Sequence, residues 1–198
     1  MRAFAPLPTL ALLLAASGLA FCCPSYAQQP ADQPEFLSLT GDLAVHDPVV
    51  IKEGDVYYLF CTGGGRRAGG IIPVRTSRDM RTWQTAGFAL DRLPAWAADE
   101  VPRARNAWAP DISFFNGRYQ LYYSLSSFGV NTSAIGLATN KTLDPKSPDY
   151  EWQDEGLVVR SRDEDDFNAI DPNFVVEDEN NVWLTLGQLL GRHHDAPA

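Results

Sequence analysis

The chain has 198 residues, with 16 Lys or Arg against 25 Asp or Glu, for a formal net charge of −9 and an isoelectric point near 4.7. Nucleic acids and anionic membranes both reward clustered Lys and Arg, so this balance disfavours them as partners and suits a neutral or sugar-like ligand. The length leaves room for about one domain with a single sizeable core.

Residues 1–27 read as a secretory signal peptide: Arg2 gives a positive start, Leu10 to Phe21 an almost unbroken apolar run, and Ser25-Tyr26-Ala27 a small-residue cleavage pattern. The run is too short to span a bilayer well and no second one follows, so the expectation is a secreted or periplasmic protein without a membrane anchor. Cys22 and Cys23 lie inside the leader, where a lipoprotein site stays open although the bulky Phe21 fits one poorly. Removal of the leader would leave Cys61 alone, so the core must hold without an intramolecular disulfide. Residues 28–40 read as a linker.

From 41 to 187 the recurring unit is a short apolar and aromatic run broken by Gly, Asn or Asp, with no long segment of helical period. This is an all-β pattern. Predicted strands include Val56 to Thr62, Arg118 to Ser126, Ser133 to Thr139 and Val182 to Gly187. Between them lie turn signals at Glu53-Gly54-Asp55, Asn116-Gly117 and Glu179-Asn180-Asn181, residue types that tolerate the positive φ of tight hairpins. The stretches from Asp144 to Pro148 and from Arg160 to Asp166 read as surface loops. Within the second, the acidic run from Asp163 to Asp166 lacks Gly and regular ligand spacing, which favours a solvated loop over a calcium site.

Three segments repeat one design of Asp, strand, turn and aromatic strand: DPVVIKEGDVYYLF from Asp47, DISFFNGRYQLYY from Asp111 and DPNFVVEDENNVWL from Asp171. Repeats of β-hairpins with a period of roughly sixty residues point to a β-propeller with long loops. Equivalent positions of successive blades converge on the axis, so the repeat predicts that Asp47, Asp111 and Asp171 face one pocket. Carboxylates gathered there would perturb one another's pKa and mark a candidate acid/base site. An Asp-Pro turn opening explains Asp47 and Asp171 equally well.

The motifs His46-Asp47-Pro48, Trp108-Ala109-Pro110-Asp111, SSFGVNTSAIGLATN from Ser126 and NAIDPNF from Asn168 occur in an order and spacing that resemble the glycoside hydrolase family 43 arabinanases, endo-acting 1,5-α-L-arabinan hydrolases. The resemblance implies a five-bladed β-propeller, of which about three blades are present, and an inverting mechanism acting on arabinan or arabino-oligosaccharide. By this likeness Asp47 would be the general base, and Asp171 would tune the acid's pKa and position the sugar. Trp108 and Phe128 would stack on sugar rings or serve as core aromatics. His46, Asn131 and Asn168 would hydrogen-bond sugar hydroxyls or hold turns, and Asp111 would bind substrate or hold Trp108 in place.

The family's general acid is a Glu of a later blade, and no glutamate here, Glu151, Glu155, Glu164, Glu177 and Glu179 included, stands in a matching context. The fragment is therefore expected to be inactive by itself. No cofactor is expected for the chemistry; a structural calcium is possible in the full-length family fold, with its protein ligand in the absent blades. The full-length protein is expected to be a monomer.

Residues 188–198 end in His193-His194-Asp195, which invites a metal reading. Adjacent side chains of an extended segment point opposite ways, which counts against it. In the arabinanases the strand ending like Trp-Leu-Thr-Leu-Gly is followed by a stretch like Ser-Phe-Trp-Gly-Gly-Ile. One synonymous coding of the segment from Gln188, read with its first base removed, encodes those six residues. The tail is thus expected to be an aberrant, out-of-frame end. Two other readings stay open: an exo-acting arabinofuranosidase or xylosidase of the same family, and a non-catalytic carbohydrate-binding propeller.

Overall fold

A computed structural model describes residues 38–178 and 181–187. The leader, Cys22 and Cys23, most of the linker, Glu179 with Asn180, and the tail with His193, His194 and Asp195 lie outside the described residues.

The described chain is all-β apart from one helical turn, α1 (Ala97–Glu100). Its first sheet contains β1 (Thr40–Gly41), β2 (Val49–Glu53), β3 (Val56–Phe60), β4 (Gly64–Gly65), β5 (Gly70–Ser77) and β6 (Thr82–Leu90). The order is β1-β6-β5-β3-β2, with β4 a short flap on β5 and β1 the one parallel partner. The second sheet is an antiparallel meander of β7 (Trp108–Phe115), β8 (Arg118–Leu125), β9 (Ser133–Asn140) and β10 (Gln153–Ser161). The third element is the hairpin of β11 (Ile170–Val176) and β12 (Val182–Gly187).

Short connections explain the hairpins. Phe115 pairs with Arg118 across Asn116 and Gly117, at φ of 51° and 75°. A two-residue turn with both residues left-handed matches the twist of the flanking strands, and Asn-Gly is the pair that reaches it most easily. Glu53 pairs with Val56 across Gly54 and Asp55, with Gly54 at φ 55°.

Each repeat supplies the hairpin that leads its sheet: β2–β3, β7–β8 and β11–β12. The leading strands lie side by side, β7 packing against both β2 and β11. One core fills the space between the first two sheets, joining Tyr58, Phe60, Ile71 and Val74 to Leu121, Tyr123, Leu125 and Ala134. The α1 turn adds Ala97, and the segment after it adds Val101, Ala104 and Ala107. Packing is close at Gly136, where a Cβ would lie 2.6 Å from the Tyr123 ring and 2.7 Å from Trp96.

The structure corrects the register of the repeat. Trp108 pairs with Ser124 and Ile170 with Gly187, each followed by a break in register, while Thr62 donates its N–H to the carbonyl of His46. Thus His46, Trp108 and Ile170 are equivalent, and so are Asp47, Ala109 and Asp171. Each of the last three precedes a proline and sits in the left-handed region, at φ of 48°, 36° and 51°. The step from 47 to 109 equals the step from 109 to 171. Asp111 instead matches Val49 and Asn173, two residues into the strand. Both motifs contain Pro and Asp, in a different order, and reading the Asp as the common element shifted the middle repeat.

Leu121 is fully buried at the centre of this core. Leu121→Ala should lower the unfolding free energy by about 2–5 kcal/mol, as expected for an aliphatic side chain removed from a packed interior. A urea titration followed by tryptophan fluorescence measures it.

Candidate active site

A cleft of about 600 Å³ opens where the leading strands of the three elements converge. Its size is that of a small-ligand site. His46, Asp47 and Thr62 come from the first sheet and Ile170 and Asp171 from the hairpin. Trp108, Ser126, Ser127 and Phe128 come from the second sheet and its β8–β9 connection, and Arg103, Arg105 and Asn106 from the segment entering β7.

Asp47 is held on one oxygen. The Thr62 hydroxyl donates to its Oδ2 at 2.6 Å, and His46 Nδ1 lies 2.7 Å from the same atom. Thr62 Oγ1 also accepts the N–H of Ala109 at 2.6 Å, and this bond leaves the hydroxyl proton free to point at Asp47. No protein donor among the described residues reaches Asp47 Oδ1. The carboxylate is oriented from behind, with one oxygen open.

Asp171 is fixed through its backbone, the N–H donating to Ser124 Oγ at 2.9 Å. Its side chain packs against the bare Cα of Gly187, where a Cβ would come within 2.7 Å of Asp171 Cβ and Oδ2. Burial, and secondarily the nearby charge of Asp47, push the Asp171 carboxyl above the usual carboxylate range. Asp47 and Asp171 therefore come together as the repeat predicts, although they stand far apart in sequence.

Aromatic rings line one side. Trp108 and Phe128 have ring centroids 4.8 Å apart at an interplanar angle of 38°. The Trp108 indole N–H donates to Asn106 Oδ1 at 3.1 Å, which fixes the ring plane. Phe128 is 89% exposed. Its loop position and exposure are those of a ring presented to a ligand, since a core aromatic would be covered. Ser127 Oγ is buried in this wall without a hydrogen-bond partner.

Three expected site residues lie outside the cleft lining. Asp111 turns the other way, its Oδ2 accepting the N–H of Phe174 at 2.7 Å, so it ties β7 to β11 and neither joins the carboxylates nor bonds Trp108. Asn131 spends its amide on the carbonyls of Arg162, Asp165 and Phe167, at 2.8–3.0 Å. It thereby shapes the loop that delivers β11. Asn168 is buried next to Ser161, whose Oγ also accepts the N–H of Ala169. These residues build the cleft without touching its space.

Thr62, Asn106, Ser126, Ser127, Arg103 and Arg105 line it without having been singled out from the sequence. Only the register could have found Thr62, because it stands opposite His46. In the acidic loop, Asp163 Oδ1 accepts from Asn131 N–H and Thr132, and Asp165 Oδ2 from Arg162 N–H. No group of three or more His, Cys, Asp or Glu placed to hold a metal ion occurs among the described residues. None of their helices is long and apolar enough to cross a membrane.

A family model described as glycosyl hydrolases family 43 matches residues 40–196. The chain is similar to an extracellular exo-α-(1→5)-L-arabinofuranosidase of Cellvibrio japonicus, 45% identical over 149 residues, or 74% of this chain and 41% of that protein. It is 42% identical over 144 residues to an extracellular endo-α-(1→5)-L-arabinanase of Bacillus subtilis, covering 72% and 43%. Among solved structures, the Cellvibrio cellulosa α-L-arabinanase complexed with arabinohexaose matches with a TM-score of 0.65 and 44% identity, over 71% of this chain and 43% of that one. The chain thus spans about two-fifths of the length of these relatives.

Two measurements probe the arrangement. Thr62→Val strands the Ala109 N–H and should cost about 1–3 kcal/mol of stability, whereas Thr62→Ser, which keeps the hydroxyl, should cost much less. For Asp171 the raised pKa means that the folded state holds the proton more tightly than the unfolded state does. Its penalty is absent below the ordinary carboxylate range and grows as pH rises through the folded pKa. Asp171→Asn should therefore raise the melting temperature at pH 7, and this gain should vanish at pH 3.

Proposed function

The chain belongs to glycosyl hydrolases family 43, and on that premise we propose that it is part of an exported enzyme that hydrolyses α-1,5-L-arabinofuranosidic bonds of arabinan with inversion. The observation that carries this reading is the pairing of Asp47 and Asp171 in one aromatic-lined cleft. Inversion requires one carboxylate to activate water on the face of the sugar opposite the leaving group, and an acid to protonate the leaving oxygen. Asp47 suits the first role. Thr62 and His46 occupy its Oδ2 and leave Oδ1 to take the proton of an attacking water.

Asp171, its carboxyl raised by burial and by Asp47, adds negative charge beside the reacting sugar. Like charge keeps a nearby acid protonated. Trp108 and Phe128 offer flat faces to the C–H side of a furanose. No glutamate lines the cleft among the described residues. We assign the general acid to a carboxyl outside them. No step of this reading passes through a metal ion.

The sheets fit a five-bladed propeller in which the six-stranded and four-stranded sheets are blades and the β11–β12 hairpin begins a third. Extracellular relatives support export. An exo-acting reading stands beside the endo-acting one because one similar protein is named an exo-arabinofuranosidase and another an endo-arabinanase.

A hybrid in which residues 1–187 are continued by the C-terminal portion of the Bacillus subtilis relative should hydrolyse debranched arabinan. Asp47→Asn in that hybrid should lower kcat by roughly 10²- to 10⁴-fold, the usual contribution of a placed general base. The 198-residue chain alone should release no sugar, and activity in it that survives Asp47→Asn would overturn the mechanism. Product sizes decide the mode: a ladder of oligosaccharides marks endo action and a single short product marks exo action.

A further inference from the structure

The wall of the cleft formed by the segment before β7 is cationic, in a chain whose net charge is −9. Arg103 and Arg105 line the cleft itself. Arg103 lies in the turn closed by the Ala104 N–H donating to the Val101 carbonyl, and Arg105 follows it toward β7. The loop carrying Arg66 and Arg67 runs alongside: Gly63 bridges to Ala107, and a Cβ on Gly65 would meet the carbonyl of Arg105 at 2.7 Å. Four arginines are thus gathered on two adjoining loops.

None of the four pairs with a carboxylate among the described residues. Arg105 Nη1 donates to the carbonyls of Pro102 and Ala104, which steadies the side chain and leaves the rest of its fork unused. Nearby cations that do have structural work are visibly paired. Arg160 bonds Glu100 at 2.7 and 2.9 Å, and Arg162 bonds the same carboxylate and its carbonyl. Unpaired guanidinium groups at a ligand cleft are matched by planar anions, because their N–H fork meets the two oxygens of a carboxylate bidentately.

We infer that this wall is a subsite for a carboxylate-bearing sugar unit, a hexuronate, attached to the saccharide that the cleft takes. The inference rests on the reading that the cleft takes a saccharide, and it adds which polysaccharide environment the site selects. Asp47 and Asp171 repel an anion from the reacting centre, so the uronate unit belongs on the arginine side, away from the bond that breaks. The effect is one of recognition and approach. Charges at an open cleft are screened within about 10 Å at 0.1 M salt.

The test is calorimetric titration of the 198-residue chain with trigalacturonate, with its carboxyl-reduced neutral counterpart and with arabinohexaose, at roughly 20 mM and 300 mM NaCl. At low salt the acidic trimer should bind at least about tenfold tighter than the reduced trimer, with most of the difference lost at high salt. Arg103→Gln/Arg105→Gln should abolish that ratio. Arg66→Gln/Arg67→Gln, on an exposed loop, should diminish it while leaving arabinohexaose affinity unchanged. Equal binding of the acidic and reduced trimers overturns the inference, as does an acidic preference that both double variants retain. Competition by inorganic sulfate as effective as that by trigalacturonate also overturns it, since the site would then read charge alone. Failure of arabinohexaose to bind while the acidic preference holds would instead count against the arabinan reading of the cleft.

Discussion

The left-handed residue before proline at the entrance of each leading strand is the constraint from which the site follows. At Asp47, Ala109 and Asp171 the chain bends sharply before it joins the sheet, and at the latter two it breaks register with the partner strand. The amide of such a residue has no place in its own ladder. It must be satisfied elsewhere, because a buried unpaired N–H costs about 1–3 kcal/mol. The preceding sheet satisfies it: Thr62 receives the N–H of Ala109, and Ser124 that of Asp171. One hydroxyl per sheet therefore both docks the next sheet and sets the side chain at its entrance. At the equivalent place in the third element stands Gly187, which has no hydroxyl and gives its space to the Asp171 carboxylate.

This geometry orders the electrostatics of the cleft. Asp47 receives two donors on one oxygen, whereas Asp171 receives a backbone anchor and packs its side chain against Gly187. The same residue type in the same repeat position thus meets two environments, and in the second of them desolvation pushes the Asp171 carboxyl up. Ala109 keeps the left-handed backbone with no polar side chain at all. In the middle repeat the entrance residue is a spacer, and Trp108 beside it supplies the wall.

The sequence carried the strands and the Asn-Gly hairpin because period-two apolar runs and turn residues act locally. It brought Asp47 and Asp171 to one cleft through the repeat, whereas Trp108, Phe128 and His46 were legible there only through the family resemblance of their motifs. It misplaced Asp111 because Trp-Ala-Pro-Asp and His-Asp-Pro can be matched on either Pro or Asp, and only the ladder pairing shows that proline is the fixed point. Asn131 and Asn168 read as ligand-binding residues because an Asn has the same donors and acceptors whether it meets a sugar or a carbonyl. Their partners, the carbonyls of the loop from 162 to 167 and Ser161, come together only on folding. Thr62 carried no signal beyond its register opposite His46, since its importance depends on the Ala109 N–H that reaches it from the next sheet.

Asp111 nonetheless bears on the chemistry through structure. A two-stranded hairpin is marginal by itself, and β11–β12 leaves Val175, Val176, Val182 and Trp183 exposed. What fastens it to the second sheet is the bond from Phe174 N–H to Asp111, the stacking of Phe174 on Tyr122 at 5.4 Å and 20°, and its edge contact with Phe115 at 5.6 Å. These contacts lie a few residues along the strand from Asp171. A shift of the hairpin would move that carboxylate relative to Asp47, and a displacement of about 1 Å at a reacting centre can cost a hundredfold in rate. The aspartate that the register removed from the cleft thus helps to hold the separation between the two that remain.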